Sequence, residues 1–402
     1  MENLILLPEG ENALRIEKLR AAASVTLPEN TRDEDAALLI ADNATVYYLT
    51  GRVFSGWAYI PLDREARPLW FVRRPVGMKG EGVMEIRKPE DIPVRLAEQG
   101  EKLPRTVGME LSITPYNDII RLQKCFPGAT TFNVSPAVSV ARSVKTPLEI
   151  SMMERSGIKQ EAVYRKIPKL YTPGMTDIEL DVAIENLSRL EGCLGQFRIS
   201  GQSMEFFMGN VLTGNNADVP TPYDFALGGR GQDPSLPVGA SGAAIMPETT
   251  VSVDVNGNYT GYMTDMTRVF TCGQIPEEAR RAHDCSIAIH REFRRRALPG
   301  TPAADLYNMA FDMAKEAGFE RNFMGHRQHA SFCGHGVGIE INEMPVIAPR
   351  SRDILALNNA IALEPKFVFP GVGAVGIENT YIITAEGARC ITNAPEELIP
   401  LH

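Results

Sequence analysis

The amino-acid sequence predicts a mixed α/β (α+β) protein with two domains. At 402 residues the chain is longer than an ordinary single domain. Apolar runs such as AALLIAD and PLWFV alternate with candidate helices such as ITPYNDIIRLQKCF before about residue 135, whereas strand-like sequence dominates after about residue 238. We therefore expect an α/β domain over residues 1–140 and a second, α+β domain over residues 141–402.

A well-marked helix follows the expected boundary. Thr146 is the predicted N-cap, Pro147 suits the first turn, and Glu149 completes a capping box. Further along, TPGMTDIELDVAIENL and LPGTPAADLYNMAFDMA each place Pro-Gly ahead of a helix, with strand-like sequence later. This similarity leaves two interpretations open. The two segments are either an internal duplication or two unrelated cases of Pro-Gly, which commonly precedes a helix.

The charge of the chain argues against two classes of partner. A net charge of −9 repels phosphate backbones and anionic lipid, so we expect neither nucleic-acid nor membrane binding. The densest basic run, RRAHDCSIAIHREFRRR, carries Ala282, Cys285, Ile289 and Phe293 at helical spacing. We interpret its arginines as one solvated face of a helix.

Several features of the chain suggest a cytoplasmic protein. Its six cysteines form no CxxC pair, which argues against a disulfide framework and favours a reducing compartment. The apolar run in MENLILLPEGENALR is too short for the core of a signal peptide. No stretch approaches the ~18 apolar residues that a membrane span requires.

Four carboxylates occur within apolar, strand-like sequence: Asp254 in VSVDV, Asp265 in YMTDMT, Glu364 in IALEP and Glu378 in VGIEN. A buried carboxylate is costly unless it is paired or binds a metal ion. Four carboxylates at one site would repel one another, and two divalent ions would balance their charge. We therefore interpret these residues as candidate metal ligands.

The first two carboxylates belong to one predicted hairpin. In TTVSVDVNGNYTGYMTDMTRVF, Asn256-Gly257 is the expected turn, which places Asp254 opposite Tyr259. The two aspartates would then share a sheet face but lie about 20 Å apart along a straight strand. We expect the chain to bend, with Gly261 as a place for a bulge.

A histidine completes the candidate ligand set. His335 lies between two glycines in FCGHGVGIEINEMP, where the backbone can approach closely. One imidazole with four carboxylates is a mainly hard ligand set, which suits Mn²⁺, Fe²⁺, Co²⁺ or Zn²⁺. Two such ions would acidify a bridging water and polarise a substrate carbonyl.

The segments VDVNGNYTGYMTDMTRVF, FCGHGVGIEINEMP, ALEP and GIENT resemble the pita-bread metallopeptidase superfamily, which includes methionine aminopeptidases, aminopeptidase P, prolidases and creatinases. The resemblance spans roughly residues 140–395 and, more loosely, the N-terminal domain of the prolidase and creatinase branch. It implies a creatinase-like first domain, a pita-bread second domain with a pseudo-two-fold repeat, and a homodimer. It also implies that five residues hold two divalent ions: Asp254, Asp265, His335, Glu364 and Glu378. Glu364 would in addition shuttle the proton.

The sequence departs from the peptidase pattern at three places. Thr221 stands where a histidine follows proline, Asn342 replaces a second histidine, and Gly376 replaces an arginine. An asparagine donates a hydrogen bond to a carbonyl oxygen but cannot exchange protons near neutral pH. These changes remove groups that orient a peptide, so the resemblance does not by itself establish peptidase activity.

Nearby polar residues are candidates to compensate. His326 and His329 in GHRQHASFCGH either face the pocket or lie at the surface. We assign catalytic roles to Glu364, Asn342 and His329, and substrate contacts to Thr221, Tyr223 and His326. Asp224 and Arg230 lie in the same Gly- and Pro-rich loop as Tyr223, which is either a pocket wall or an ordinary surface loop.

Three functions remain open from the sequence. The first is a dinuclear metal-dependent hydrolase of the Xaa-Pro peptidase type, acting on a peptide or amide bond. The second is a hydrolase or lyase for a small zwitterion, similar to ectoine hydrolase, creatinase or dimethylsulfoniopropionate lyase. The third is a non-catalytic binding module, which has no need for four buried carboxylates.

Overall fold

The computed structural model describes residues 2–199 and 208–402. The chain divides into two compact units, the first ending at Arg142 and the second running from Ser143 to His402. The expected boundary near residue 140 lies close to this division. In the described part of the chain, no helix combines the length and apolar character that crossing a membrane requires.

The first unit is an α/β domain with a six-stranded sheet of order β4-β3-β2-β1-β5-β6. Its strands are β1 (Ala36–Ile40), β2 (Ser55–Pro61), β3 (Leu69–Arg74), β4 (Val83–Glu85), β5 (Thr106–Met109) and β6 (Thr130–Asn133). Its helices are α1 (Glu11–Val25), α2 (Asn43–Thr50), α3 (Ile92–Glu98), α4 (Tyr116–Gln123) and α5 (Ser135–Ser143), which ends at the division. The run AALLIAD forms the fully buried central strand β1, which pairs antiparallel with β2 and parallel with β5.

The second unit contains two larger sheets, of order β19-β11-β8-β7 and β13-β12-β14-β17-β18. Its helices are α6 (Pro147–Tyr164), α7 (Asp177–Leu190), α8 (Glu277–Arg296) and α9 (Ala303–Glu316). Its strands are β7 (Gly209–Thr213), β8 (Thr249–Val255), β9 (Gly257–Asn258), β10 (Met263–Thr264), β11 (Thr267–Cys272), β12 (Gly334–Gly336), β13 (Glu343–Ile347), β14 (Ala360–Leu363), β15 (Phe367–Phe369), β16 (Gly373–Val375), β17 (Asn379–Thr384), β18 (Gly387–Cys390) and β19 (Ile399–Pro400). The order of two helices followed by strands occurs twice, from α6 and again from α8.

Helix α6 begins as its sequence predicts. The Thr146 hydroxyl accepts from the backbone N–H of Glu149 at 3.3 Å, and the Glu149 carboxylate accepts from the backbone N–H of Thr146 at 2.8 Å. At the other end of α6, the Tyr164 hydroxyl donates to the carbonyl of Met266 and accepts from the N–H of Val255 at 2.9 Å. One helix thereby contacts both strands of the pair β8–β11 at their ends.

The predicted turn at Asn256-Gly257 is wrong. Asn256 is buried and donates through its side-chain amide to the carbonyl of Met208 at 2.6 Å. The chain continues through β9 and reverses at residues 259–262, where Gly261 has φ of +86°. In the returning strand it is Thr267, and not Tyr259, that lies opposite Asp254. Two residues of β9 and two of β10 form a short hairpin, after which Asp265 lies two residues before the partner of Asp254.

The second acidic strand pair is nested. Strands β14 and β17 pair antiparallel, with Leu363 opposite Asn379, and between them β15 and β16 form a shorter hairpin. Glu364 directly follows β14 and Glu378 directly precedes β17, so the pairing sets the two glutamates side by side. The basic run forms α8, which buries Ala282, Cys285, Ile289 and Phe293 as predicted.

Candidate metal centre

The five predicted ligands line one cavity of about 180 Å³. Asp254 lies in β8, which runs between β7 and β11, and His335 lies in β12, between β13 and β14. The other walls of the cavity are largely apolar and include Phe197, Phe225 and Phe332. Residues from both larger sheets thus meet at one site.

The ligand atoms fall into two groups. In each group, one nitrogen or oxygen atom per residue lies within 4.8 Å of the others. The first group is Asp265, His335 and Glu378, and the second is Asp254, Glu364 and Glu378. Glu378 therefore belongs to both.

His335 is oriented by its own strand. Its Nδ1 lies 3.0 Å from the carbonyl oxygen of Gly336. A hydrogen on Nδ1 satisfies this contact and leaves the lone pair of Nε2 available, which is how metal-binding imidazoles are commonly held. Nε2 lies 3.5 Å from Glu364 Oε1 and 3.9 Å from Asp265 Oδ2.

Glu378 supplies an oxygen atom that needs a partner. Its Oε2 accepts from the Thr267 hydroxyl at 2.7 Å, but its buried Oε1 has no hydrogen-bond partner in the described structure. A buried carboxylate oxygen without a partner is costly. Glu378 belongs to the group formed with Asp265 and His335, so the residues present fit a divalent ion at this position.

A lysine occupies the other group, and the sequence interpretation missed it. Lys366 Nζ lies 2.7 Å from Asp254 Oδ2, 2.7 Å from Glu364 Oε2 and 3.3 Å from Glu378 Oε2, and its side chain is 1% exposed. One feature of the sequence did indicate a contact between Lys366 and Glu364. In ALEPK, Lys366 lies two residues after Glu364 and therefore on the same side of an extended chain. A second divalent ion does not fit among these three carboxylates while the ammonium lies there.

The cluster holds more negative charge than Lys366 neutralises. Burial and the carboxylate of Asp254 raise the pKa of Asp265 to about 7. Burial and the carboxylates of Asp265 and Glu364 raise the pKa of Glu378 well above its ordinary value. Burial opposes protonation of His335, but Glu364 and Asp265 outweigh it and raise the pKa of that imidazole to about 9. The site thus favours additional positive charge, as protons or as a metal ion.

Arg268 fixes the backbone next to Glu378. The fully buried guanidinium donates to the carbonyl of Glu378 at 2.8 Å and to the side-chain oxygen of Asn379 at 2.8 Å. It also donates to the carbonyls of Thr267, Thr392 and Ala394. Because its one guanidinium binds five acceptors, Arg268 is a positioning residue for Glu378 and the strand that follows it.

Two buried histidines of α8 hold the other side of the same segment. His283 Nδ1 accepts from the N–H of Gly376 at 3.2 Å, and His290 Nε2 lies 3.0 Å from the carbonyl oxygen of Ile377. Burial lowers the pKa of His290 to about 3, so it is neutral near neutral pH. The helical spacing of the basic run predicted the buried apolar face but not these polar contacts.

The remaining predicted site residues separate into two sets. Asn342 and Asp224 line the cavity. His326 and His329 are exposed, with Nδ1 of His326 3.1 Å from Asp218 Oδ2 and Nδ1 of His329 2.9 Å from the carbonyl oxygen of Phe323. Neither histidine lines the cavity, so the placement that we expected for them is not found.

The predicted residues of the Gly- and Pro-rich loop also lie outside the expected pocket. Thr221 lines a separate cavity of about 20 Å³, and its hydroxyl donates to the carbonyl of Pro237 at 2.9 Å. Tyr223 packs on Phe225 with ring centroids 5.8 Å apart, and only Phe225 of this pair lines the larger cavity. Arg230 is exposed and lines a different depression.

The last glutamate of FCGHGVGIEINEMP has a structural partner. Glu343 Oε2 lies 2.7 Å from Lys145 Nζ, and both side chains are nearly buried, with exposed fractions of 6% and 1%. Glu343 Oε1 accepts from the N–H of Glu340 at 3.1 Å. Lys145 and Lys366 are therefore two buried lysines bound to carboxylates; Lys145 pairs with Glu343, and Lys366 pairs with three of the predicted ligands.

Comparisons with known proteins agree with this architecture. The model of metallopeptidase family M24 matches residues 151–385, and that of the creatinase/prolidase N-terminal domain matches residues 15–144. An Xaa-Pro dipeptidase of Pyrococcus horikoshii is 27% identical over 369 residues, which cover 90% of this chain and 94% of the relative. An Xaa-Pro dipeptidase from Bacillus anthracis shares the fold, with a TM-score of 0.78 at 22% identity, over 97% of this chain and 100% of that structure.

A further solved structure, an X-Pro aminopeptidase from Thermotoga maritima, has a TM-score of 0.76 at 20% identity and covers 91% of this chain and 97% of its own. The predicted resemblance to pita-bread metallopeptidases is confirmed by these matches. Because the family model matches more than half of the chain, this protein belongs to metallopeptidase family M24 and carries a creatinase/prolidase N-terminal domain.

Proposed function

We propose that this protein is a metal-dependent peptidase that hydrolyses the bond before proline in a dipeptide or short peptide. The observation that carries the proposal is the meeting of Asp265, His335 and Glu378 in one cavity, together with the buried Glu378 oxygen that has no hydrogen-bond partner among the described residues. Support comes from membership of family M24 and from relatives named Xaa-Pro dipeptidase. The sequence alone suggested the same reaction class but left the peptide substrate open.

The reaction needs an activated water and a stabilised oxyanion. A divalent ion held by Asp265, His335 and Glu378 would acidify water and polarise the substrate carbonyl. Glu364 contributes a carboxylate whose Oε1 lies on the His335 side, where it accepts a proton from water and returns it to the leaving nitrogen. Asn342 contributes an amide N–H for the carbonyl oxygen as negative charge develops there.

The cavity walls suit a small substrate with a cationic end. Phe197, Phe225 and Phe332 provide apolar surface for a pyrrolidine ring, and Asp224 provides a carboxylate for a free amine. At about 180 Å³ the cavity is smaller than the ~300–1,000 Å³ of typical drug-sized ligand sites, which favours a dipeptide over a longer chain.

The same dimensions favour a second candidate, a hydrolase or lyase for a small zwitterion. Asp224 and the aromatic walls also suit a quaternary ammonium or sulfonium group. Asn342 lines the cavity at a position where the resemblance implies a histidine, so a proton-exchanging side chain is missing there. Turnover of ectoine, creatine or dimethylsulfoniopropionate without turnover of any peptide would select this candidate.

The test compares two histidine variants of the full-length protein. Mn²⁺-loaded wild type is assayed with alanyl-proline, alanyl-alanine and the three zwitterions. We expect hydrolysis of alanyl-proline that chelation abolishes, that His335→Ala lowers at least about 100-fold, and that the surface variant His329→Ala leaves within twofold. Unchanged activity in His335→Ala would overturn the proposal. Wild type that binds metal but turns over none of the five compounds would also contradict it.

A further inference from the structure

Lys366 is built into the carboxylate cluster and is not a surface side chain that happens to reach it. Its backbone N–H points to the sulfur of Met324 at 3.4 Å, and its carbonyl accepts from the N–H of Met324 at 2.8 Å. Gly376, with φ of +117°, packs against the same stretch, and a Cβ there would lie 2.5 Å from the carbonyl oxygen of Pro365 and 3.0 Å from Cα of Lys366. The glycine permits the close approach that aims this lysine inward.

The ammonium of Lys366 lies where a second ion would have to bind. Divalent transition metals bind carboxylate oxygens at about 2.0–2.2 Å. An ion that close to oxygens of Asp254, Glu364 and Glu378 would overlap Nζ, which lies 2.7 to 3.3 Å from the same oxygens. Two positive charges in one carboxylate cage also repel each other strongly at low dielectric constant.

An ion bound by the group of Asp265, His335 and Glu378 would not meet this conflict with Lys366. Oxygen Oε1 of Glu378 is the buried atom without a hydrogen-bond partner, whereas its Oε2 takes the Thr267 hydroxyl and the outer contact of Lys366. Lys366 contacts only Oε2 of this carboxylate, and Oε1 has no hydrogen-bond partner among the described residues. Lys366 supplies one positive charge for four carboxylates, so the cluster favours further positive charge, which a divalent ion bound by Asp265, His335 and Glu378 would supply.

We propose that Lys366 replaces one of the two ions implied by the resemblance, so that the centre holds a single divalent ion, bound by Asp265, His335 and Glu378, beside a fixed ammonium. The ammonium contributes charge and hydrogen-bond donors but has no coordination position to offer a substrate. Substrate contacts with metal are then confined to one ion. The inference concerns the same site as the proposed function but does not require that the substrate be a peptide.

The number of ions can be measured independently of activity. Full-length protein is stripped, dialysed against excess Mn²⁺ and analysed for bound metal per chain. We expect about one ion in wild type and about two in Lys366→Ala, in which the carboxylates of the second group are vacated. Lys145→Ala is the matched control, because it removes an equally buried lysine from Glu343 outside the ligand set, and it should bind about one ion.

Electron paramagnetic resonance of Mn²⁺-loaded wild type gives a readout that does not depend on whether the variant folds. An isolated ion gives a six-line spectrum, whereas two ions a few ångströms apart give an exchange-coupled spectrum. Two ions in wild type, or equal numbers in wild type and Lys366→Ala, would overturn the inference. Wild type without any bound ion would overturn it as well.

The failures of the two proposals are distinguishable. Two bound ions with hydrolysis of alanyl-proline would refute the lysine inference and leave the proposed function intact. One bound ion without peptide hydrolysis would refute the proposed function and leave the lysine inference intact.

Discussion

Asn342 is the cavity residue whose chemistry differs most from what the resemblance implies. It replaces a histidine of the peptidase pattern and still lines the cavity, so its amide can bind an oxygen without exchanging protons. His326 and His329, which the sequence offered as substitutes, are bound at the surface to Asp218 and to the carbonyl of Phe323. At this wall of the cavity, the side chain of Asn342 can therefore form hydrogen bonds but cannot exchange protons as a histidine does.

Asn342→Ala tests that role. Loss of one donor to a developing oxyanion lowers kcat about 10²–10³-fold in well-studied cases, and we expect an effect at the lower end of that range with little change in KM. Steady-state kinetics on the peptide substrate measure it. A change confined to KM would show that Asn342 binds the ground state only and would contradict the assignment.

Asp181 predicts a pH dependence of stability outside the metal site. Burial, with the carboxylates of Glu185 and Asp177, raises the pKa of Asp181 to about 8. The unfolded chain releases this proton near pH 4. The folded state therefore holds an extra proton between these values, so the stabilisation is complete below about pH 4 and is lost as pH rises towards 8.

Asp181→Asn removes the titration and keeps the shape. We expect the variant to be more stable than wild type at pH 8.5 by about 2 kcal/mol or more, and the difference to shrink at pH 5. Urea unfolding of metal-free protein at both pH values measures it. A difference that is the same at both pH values would contradict the expectation.

At the scale of elements, local signals predicted starts of helices better than they predicted turns. The capping box of α6 forms because Thr146 and Glu149 bind each other's backbone N–H groups, and these two residues lie three positions apart in the sequence. Asn256-Gly257 carries an equally strong local turn signal, but the chain buries Asn256 against Met208, a contact distant in sequence. Tertiary packing displaced the turn, and Asp254 and Asp265 both line the same cavity.

Arg268 links the strand β11 to the strand that follows Glu378, and its loss should be costly. Arg268→Met leaves five neutral acceptors around an apolar side chain, and a buried acceptor left without a partner costs about 1–3 kcal/mol. We expect a fall of that size in the free energy of unfolding and a lower affinity for Mn²⁺.

Arg295→Met is the control for this prediction. Arg295 is exposed and pairs with Glu292 on the surface of α8, a kind of contact worth at most about 1 kcal/mol. Chemical denaturation and metal titration measure both variants. Equal losses in the two variants would show that the buried network does not position the ligand strand.

At the scale of the whole molecule, the meeting of the five candidate ligands in one cavity was predictable because four carboxylates interrupt apolar strands and their surroundings resemble one superfamily. Lys366 was missed because the order ALEPK indicates only that it lies on the same side as Glu364, whereas its approach to Asp254 and Glu378 depends on the nested hairpin β15–β16 and on the close approach of Gly376. The two-domain division followed from length and from the change in pattern. The positions of Thr221 and Tyr223 depend on loop packing and differ from expectation.

Metal binding should stabilise the fold as a whole. An ion that binds only the folded state at 100 times its Kd adds about 2.7 kcal/mol to the free energy of unfolding. We expect Mn²⁺ to raise the melting temperature of wild type, and His335→Ala to lose that increase. A melting temperature that does not respond to Mn²⁺ in wild type would contradict metal binding by the folded cluster.

The most direct test of the central claim is anomalous X-ray diffraction from crystals of the Mn²⁺-loaded protein. The account predicts one anomalous peak bounded by Asp265, His335 and Glu378, with Nζ of Lys366 among the carboxylates of Asp254, Glu364 and Glu378. The absence of any peak at the cluster at saturating Mn²⁺ would contradict the account.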